Sequence, residues 1–168
     1  MPLSPAHRNL LLGQAIGSVV LNVPLNGGAA WATFPPIAAL PVFARGNCVA
    51  GDTIGTSFFL PLVTCLILTP IVRRLLRGGA TAPIKRADLP GYARFLPANV
   101  VGRGALVGLL SALSFGVLTL VLLSVLGVES MTRGQVAVYK AVYTAILGIV
   151  VTPLFGYRAL ADTAPAKR

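Results

Sequence analysis

Asp52 and Lys140 are ionisable residues at the edge of, or inside, long apolar stretches of this 168-residue chain. A charge in an apolar medium is costly and is usually paired. If Thr69-Pro70 and Thr152-Pro153 lie at similar depths, Asp52 stands five residues further outward than Lys140, about 7.5 Å along a helix axis. A lysine leaning toward its helix N-terminus covers that distance, so we predict an Asp52–Lys140 ion pair. The alternative is two independent charges, Asp52 at a positive helix N-terminus and Lys140 reaching the water interface.

A second polar pattern repeats every four residues near the N-terminus and consists of Gln14, Ser18, Asn22 and Asn26. At 3.6 residues per turn this spacing drifts by about 40° per step, so the side chains form one slowly turning stripe on a helix. We expect the stripe to hydrogen-bond neighbouring helices. The alternative is that it lines a small hydrated cavity or a cleft for a lipid headgroup.

Conventional catalytic and metal-binding sets are missing from the sequence. The single histidine, His7, lies in the N-terminal tail, which excludes a histidine pair for haem or a histidine cluster for a metal. Cys48 and Cys65 are 17 residues apart, about 25 Å along one helix, too far for a bridge within that helix. We therefore expect no cofactor and no metal, and we lean against an enzyme. The residual catalytic candidate is Asp52, Thr56 and Lys140 acting together.

Four charge-poor stretches must position these residues. The chain is 55% hydrophobic and 11% charged, which is too apolar for a soluble protein of this length. A bilayer core of roughly 30 Å needs about 20 apolar helical residues, and the runs are continuous rather than alternating as in a barrel. The sequence thus predicts an all-α polytopic four-helix transmembrane bundle in one membrane domain, 1–168. The predicted spans are about 10–30, 49–72, 105–126 and 135–156.

Orientation follows from the Lys and Arg residues that flank the spans. One side receives Arg8, the loop 73–103 with seven basic residues, and a C-terminal group from Arg158 onward, whereas the other receives Arg45 and Arg133. Because cytoplasmic loops retain positive charge, both termini and the loop are predicted to be cytoplasmic. The net charge of +10 then needs no nucleic-acid partner.

The N-terminus admits a second interpretation. A basic start, an apolar run and Ala30-Trp31-Ala32 are similar to a cleavable signal peptide. Gln14 interrupts the apolar run, and the polar residues that follow fit one face of a retained helix. We expect the first span to be retained, with cleavage as the alternative.

The basic loop 73–103 mixes positive charges with apolar and aromatic residues, and Pro83, Pro90 and Pro97 prevent one long helix. We expect a bent segment on anionic headgroups, where each nearby basic residue contributes about 1 kcal/mol. The alternatives are an anchor that sets orientation alone, or a docking surface for a soluble partner. The predicted lipid or partner contacts are Arg73, Arg74, Arg77, Lys85, Arg86, Arg94 and Arg103.

Small residues spaced by four predict where helices approach closely, because they let backbones come together in lipid. The third span carries the longest such ridge, so we expect it to be the central packing partner. Packing within the chain is the default, and a homodimer face is the alternative. The predicted packing residues are Gly13, Gly17, Gly104, Gly108, Ala112 and Gly116, with Ala137, Ala141 and Ala145 continuing the theme in the fourth span.

Thr69-Pro70 and Thr152-Pro153 also suggest an internal repeat, because each pair comes near the inner end of a span and precedes basic residues. Two hairpins, 10–72 and 105–156, would then be parallel repeats. The alternative is that each proline ends its helix at the membrane interface.

A wider set of residues resembles small four-helix bacterial integral membrane proteins that have no assigned activity. The resemblance implies the topology above and supplies no substrate. The residues that carry it are Asn26, Trp31, Asp52, Phe58-Phe59-Leu60-Pro61-Leu62, Thr64, Thr69-Pro70, Arg73-Arg74, Lys140 and Val151-Thr152-Pro153.

We therefore expect a non-enzymatic component of a bacterial cytoplasmic membrane, an accessory or scaffold protein that engages lipid or partners through packed helices and the basic loop. The alternative is an oligomeric small-solute or ion transporter or channel that uses the polar stripe with Asp52 and Lys140. Expected partners are membrane lipids, anionic ones in particular, and a second copy or a larger membrane complex.

Overall fold

The computed structural model describes residues 4–34, 36, 39–44 and 48–162. Within this part the chain is mostly helical, and four helices are long and apolar enough to cross a membrane. The prediction of a mostly helical chain with four apolar helices that could each span a membrane is confirmed. In chain order the elements are α1 (Pro5–Thr33), β1 (Leu40–Pro41), α2 (Val49–Arg77), α3 (Gly91–Arg94), α4 (Val100–Val125), β2 (Ser130–Met131) and α5 (Arg133–Leu160).

The two short strands join the connections at one end of the bundle. β1 and β2 pair antiparallel, with Leu40 opposite Met131, and the amide of Val42 donates to the carbonyl of Glu129 at 2.8 Å. The side chains of Leu40 and Met131, which belong to this pair, and of the adjacent Val42 are buried. We call this end of the bundle the strand end, and the opposite end, where Arg73 and Arg158 lie, the basic end.

The two inner helices of the bundle are α5, which packs against α1 and α2, and α2, which packs against α5 and α4. Glycines on α5 permit the close approach of α1. A Cβ added to Gly148 would lie 2.6 Å from Ser18 Oγ, and one added to Gly156 would lie 2.6 Å from Gln14 Oε1. The prediction that the third span is central is therefore wrong.

The small-residue ridge of the third span packs within the chain, against α2. A Cβ on Gly104 would lie 2.9 Å from a methyl group of Leu62, and one on Gly108 would strike the backbone of Phe58. Ala112 is buried and begins a π-helical stretch that ends at Gly116. The expected close approach fails at Gly13 and Gly17, where a Cβ would meet nothing within 4 Å, because α1 turns other residues toward α5.

The prolines do not end their helices. α2 continues through Pro61 and Pro70, and α5 continues through Pro153 for seven further residues. A transmembrane helix tolerates proline where neighbouring helices cover the freed backbone groups. The alternative that the Thr-Pro pairs are helix terminators is thus wrong, and Thr152 Oγ1 makes no hydrogen bond within the described structure.

The basic loop is compact, and part of it is buried. It contains a 3-10 turn at Arg86–Asp88 and the short helix α3, and its Leu89 and Ala93 are buried against Ala161. Arg103 is fully buried in the first turns of α4, so its predicted contact with lipid headgroups is wrong. Arg94 donates to the carbonyl of Leu89 at 2.8 Å, which fixes the loop on itself.

Candidate functional site

The structure brings Asp52 and Lys140 together near the strand end. Lys140 Nζ lies 2.5 Å from Asp52 Oδ1, joining the first turns of α2 and α5. The Lys140 side chain is 11% exposed and that of Asp52 is 27% exposed. The lysine is thus enclosed, while the carboxylate keeps one side open toward the space between α1 and α2.

A ladder of hydroxyl groups continues the contact between α2 and α5 beside this ion pair. Tyr139 Oη lies 2.8 Å from Thr53 Oγ1, and Tyr143 Oη lies 2.6 Å from Ser57 Oγ. The Thr53 and Ser57 hydroxyls already donate to backbone carbonyls of their own helix, so the tyrosines are the donors across the interface. The ladder fixes the register of the two helices.

A groove of about 720 Å³ separates α1 from α2, with α5 as its floor. This volume lies within the usual range of small-molecule sites, roughly 300–1,000 Å³. Its rims are apolar and exposed, with Leu21 62%, Leu25 65% and Phe59 60% accessible. The groove therefore opens sideways between α1 and α2, onto the apolar outer surface of the helices.

The whole polar stripe of α1 lines this groove. Gln14, Ser18, Asn22 and Asn26 all face it, and Asp52 and Thr56 lie on the α2 wall. Asn22 Nδ2 donates to Ser18 Oγ at 2.9 Å, and Asn26 Nδ2 donates to the Asn22 carbonyl at 3.1 Å. These bonds stay within α1, so the expected hydrogen bonds to neighbouring helices are not made among the described residues. The structure instead places the stripe along the wall of the groove.

Two polar side chains in the groove are buried without a partner in the described structure. Both side-chain heteroatoms of Gln14 and the hydroxyl oxygen of Thr152 are shielded from solvent and make no hydrogen bond. Thr152 is 2% exposed. An unpaired buried polar group costs about 1–3 kcal/mol, so such groups in native structures usually meet a ligand or water. In this structure the Gln14 and Thr152 heteroatoms are covered by protein atoms, and Gln14 Oε1 lies against Gly156 at the contact between α1 and α5.

The basic end holds a cluster of three arginines on one carboxylate. Arg73 and Arg103 each place a nitrogen 2.9 Å from Asp162 Oδ2, and Arg158 contacts Asp162 Oδ1. Arg103 and Arg158 are 0% and 3% exposed at their side chains, whereas Arg73 is 36% exposed. The cluster ties together the ends of α2 and α5 and the start of α4, and it leaves an excess of positive charge.

Arg74 and Arg77 differ from this cluster in their access to the membrane surface. Arg74 is exposed and follows Ile67 by seven residues, so it lies on the helix face that lines the groove. Its guanidinium makes no hydrogen bond or ion pair within the described part of the chain, whereas Arg77 donates to the carbonyl of Arg73. Of the predicted lipid contacts, Lys85 and Arg86 are also exposed.

Sequence reasoning missed Asp162, Thr53, Ser57, Tyr139 and Tyr143. The hydroxyl ladder has a detectable signal, because each helix carries its two polar residues four apart on one face. Asp162 has a partial signal, because it follows Arg158 by four residues, a spacing that predicts an ion pair on a helix. Its pairs with Arg73 and Arg103, 89 and 59 positions away, have no local signal.

The groove offers both polar and apolar contacts for a bound molecule. In the described ranges no three His, Cys, Asp or Glu side chains come close enough to hold a metal ion. Thr56 faces the groove near Asp52, yet Lys140 is occupied by that carboxylate. Comparisons of the chain with family models, with curated proteins and with solved structures found no match. The function is therefore inferred from the geometry alone.

Proposed function

We propose that this protein is a non-enzymatic membrane component that binds an amphiphilic molecule, entering sideways from the bilayer, in the groove between α1 and α2. The observation that carries the proposal is a groove whose rims are apolar and exposed and whose α1 wall carries the half-buried polar side chains of Ser18, Asn22 and Asn26. An amphiphile matches both features, since its polar group meets the polar wall and its apolar part covers the rims.

We further propose that the basic end faces the cytoplasm of a bacterium and that the protein resides in the inner membrane. The asymmetry of Lys and Arg across the four helices supports this orientation. Exposed Arg74, Arg77, Lys85 and Arg86 would then contact the anionic headgroups of that leaflet. A partner protein or a second copy of the chain can dock in addition.

The test uses two matched variants on α1. Gly17 lines the groove and has free space around its Cβ position, so Gly17→Leu fills the groove without a clash. Gly13 has equally free space but lies outside the groove, which makes Gly13→Leu the control. We expect purified Gly17→Leu to lose co-purifying lipid in native mass spectrometry, while Gly13→Leu retains it.

Equal lipid retention by both variants and the unaltered protein would contradict the proposal. A dimer that Gly17→Leu converts to a monomer, with no bound lipid in either form, would show instead that a second copy fills the groove. Circular dichroism spectra of the two variants establish that both remain folded.

The transporter alternative rests on one specific observation, the polar stripe on the groove wall. From Gln14 to Asn26 the stripe covers 12 residues, about 18 Å, which is more than half of a bilayer core of roughly 30 Å. If a polar solute moves along it, proteoliposomes should pass monovalent ions, and Asp52→Asn should change that flux. Flux no higher than in empty liposomes would remove this alternative.

A further inference from the structure

We propose that the protein holds one anionic phospholipid in a second cavity, between α1 and α5 at the basic end, with the lipid phosphate on Arg8 and an acyl chain against Leu12 and Ile149. We call this cavity the α1–α5 cleft. It is separate from the groove between α1 and α2, because none of the described residues lines both cavities. The site therefore goes beyond the proposed function and does not depend on it.

The α1–α5 cleft lies along the line where these two helices pass each other in opposite directions. A Cβ added to Gly148 would touch Ser18, whereas one added to Gly156 would touch Leu11, so α5 approaches the start of α1 as it nears its own end. The cleft beside this contact has a volume of about 800 Å³. That volume lies within the usual range of small-molecule sites, roughly 300–1,000 Å³.

The walls of the cleft change from polar to apolar along its length. Arg8, Asn9 and Tyr157 line the basic end, and Leu12 and Ile149 line the part that lies deeper in the bundle. Tyr157 and Ile149 are eight residues apart, about 12 Å along the helix, which is most of one leaflet in a hydrocarbon core of roughly 30 Å. Tyrosine is enriched at the level of lipid headgroups. The cleft thus has the polarity and the depth of a phospholipid in one leaflet.

The polar groups at the basic end of the cleft are accessible to a ligand. Arg8 and Asn9 are exposed, and the ion pairs of the described residues do not include Arg8. Tyr157 is half-buried, and its hydroxyl is neither enclosed by protein atoms nor bonded to another described residue. A guanidinium, an amide nitrogen and a phenol hydroxyl are all donors. A phosphate accepts from each of them, most strongly from the guanidinium.

Charge favours an anionic headgroup over a zwitterionic one. Arg8 is the only charged side chain that lines the cleft among the described residues, so no Asp or Glu of this part of the chain faces it. A headgroup that carries an ammonium finds no carboxylate there, whereas an anionic headgroup keeps the full attraction of the guanidinium.

Contacts outside the cleft hold Arg8 in place. Ser4 caps α1 by accepting a hydrogen bond from the amide of His7 at 3.3 Å, and His7 Nε2 donates to the carbonyl of Ala82 at 2.8 Å. The first turn of α1, which carries Arg8, is thus attached to the basic loop. A site that is already ordered loses less conformational entropy when the lipid binds.

The first experiment titrates phosphatidylglycerol and phosphatidylcholine onto the delipidated protein and follows binding by native mass spectrometry. Arg8→Gln is expected to lower the affinity for phosphatidylglycerol about fivefold and to abolish its preference over phosphatidylcholine, since one basic contact with an anionic lipid contributes about 1 kcal/mol. Arg74→Gln is the matched control, because Arg74 is an exposed arginine of the same end that does not line the cleft.

The second experiment fills the apolar part of the cleft. Ile149 is exposed, so Ile149→Trp places a larger side chain in the cleft and is expected to remove one bound phosphatidylglycerol. Val142→Trp is the matched control, because Val142 is also exposed and lies seven residues earlier on the same face of α5, outside the cleft. Circular dichroism spectra establish that both variants remain folded.

The outcomes separate this site from the groove. If Arg8→Gln and Ile149→Trp act as expected while Gly17→Leu has no effect, the proposed function fails and the lipid site in the cleft stands. If Gly17→Leu expels lipid but Ile149→Trp binds as much lipid as Val142→Trp, the inference about the cleft fails alone.

Two further results would overturn the site. Equal losses of affinity in Arg8→Gln and Arg74→Gln would show a general effect of surface charge. A dimer that Ile149→Trp converts to a monomer, with no bound lipid in either form, would assign the cleft to a second copy of the chain.

Discussion

Asp162→Asn is expected to destabilise the protein strongly, because Asp162 is the carboxylate on which Arg73, Arg103 and Arg158 converge. The substitution keeps the size of the side chain and removes its charge. Two guanidinium groups that are almost fully buried, those of Arg103 and Arg158, then lose their counter-ion. The ends of α2 and α5 also lose the link that joins them to the start of α4.

The magnitude follows from the burial of each partner. Removing one member of a buried pair costs about 3–5 kcal/mol, since an uncompensated charge remains in a poorly solvated site. The pair with Arg73, whose side chain is 36% exposed, adds about 0–1 kcal/mol. For a chain of this size the expected loss in melting temperature is on the order of 10 °C.

Thermal unfolding in detergent, followed by circular dichroism, measures the effect. Asp88→Asn is the matched control, because Asp88 is exposed in the 3-10 turn and forms no ion pair in the described structure. Adding Arg103→Met to Asp162→Asn should restore part of the loss, since it removes one of the unpaired buried charges. An Asp162→Asn protein whose melting temperature matches that of Asp88→Asn would refute the reasoning.

Three further results are expected. Asp52→Ala and Lys140→Ala should each destabilise the protein, because the two side chains are in contact at 2.5 Å. A double-mutant cycle should give a coupling energy of about 1–2 kcal/mol. A coupling energy of zero would show that the ion pair does not contribute to stability. Gly108→Ala should cost about 1–3 kcal/mol by overpacking against α2. Gly102→Ala, whose new Cβ would make only ordinary contacts, 3.8 Å from Pro97 Cβ, should be neutral or stabilising by up to about 1 kcal/mol. The reverse order in chemical denaturation would count against the packing. Hydrogen bonds from the backbone amides of Gly51 and Ala44 lower the pKa of the Cys48 thiol below its ordinary value. In a Cys65→Ser background the ultraviolet absorbance of the thiolate should therefore appear at lower pH than for an ordinary thiol, and an unshifted pH profile would oppose this.

The helices could be predicted because length and apolarity are local properties. A stretch of about 20 apolar residues has few alternatives to a membrane-crossing helix, whatever it packs against. The pairing of Asp52 with Lys140 could also be anticipated, since helix geometry converts spacing into depth and an isolated charge in an apolar stretch demands a partner. Of these two residues, Asp52 lines the groove at its strand end.

The centre of the bundle could not be predicted from the same local patterns. Small residues four apart in the sequence indicated α4 as the central helix. In the structure α1 packs against α5 at Gly148 and Gly156, which are eight residues apart. Which ridge becomes central depends on the side chains of the opposite helix, and those are distant in sequence. For the same reason the stripe on α1 could not be assigned to an interface or a cleft before the position of α2 was known.

The groove has the character of a preformed site rather than a gate. α1 is held against α5 by side chains that occupy the space left by glycines, and α2 is held against α5 by the ion pair and the tyrosine ladder. The β1–β2 pair restrains the strand end, and Asp162 restrains the basic end. Closing the groove would therefore require α1 or α2 to leave α5. A site fixed at both ends favours the retention of a bound amphiphile over alternating access, which needs one part of a bundle to move against the other.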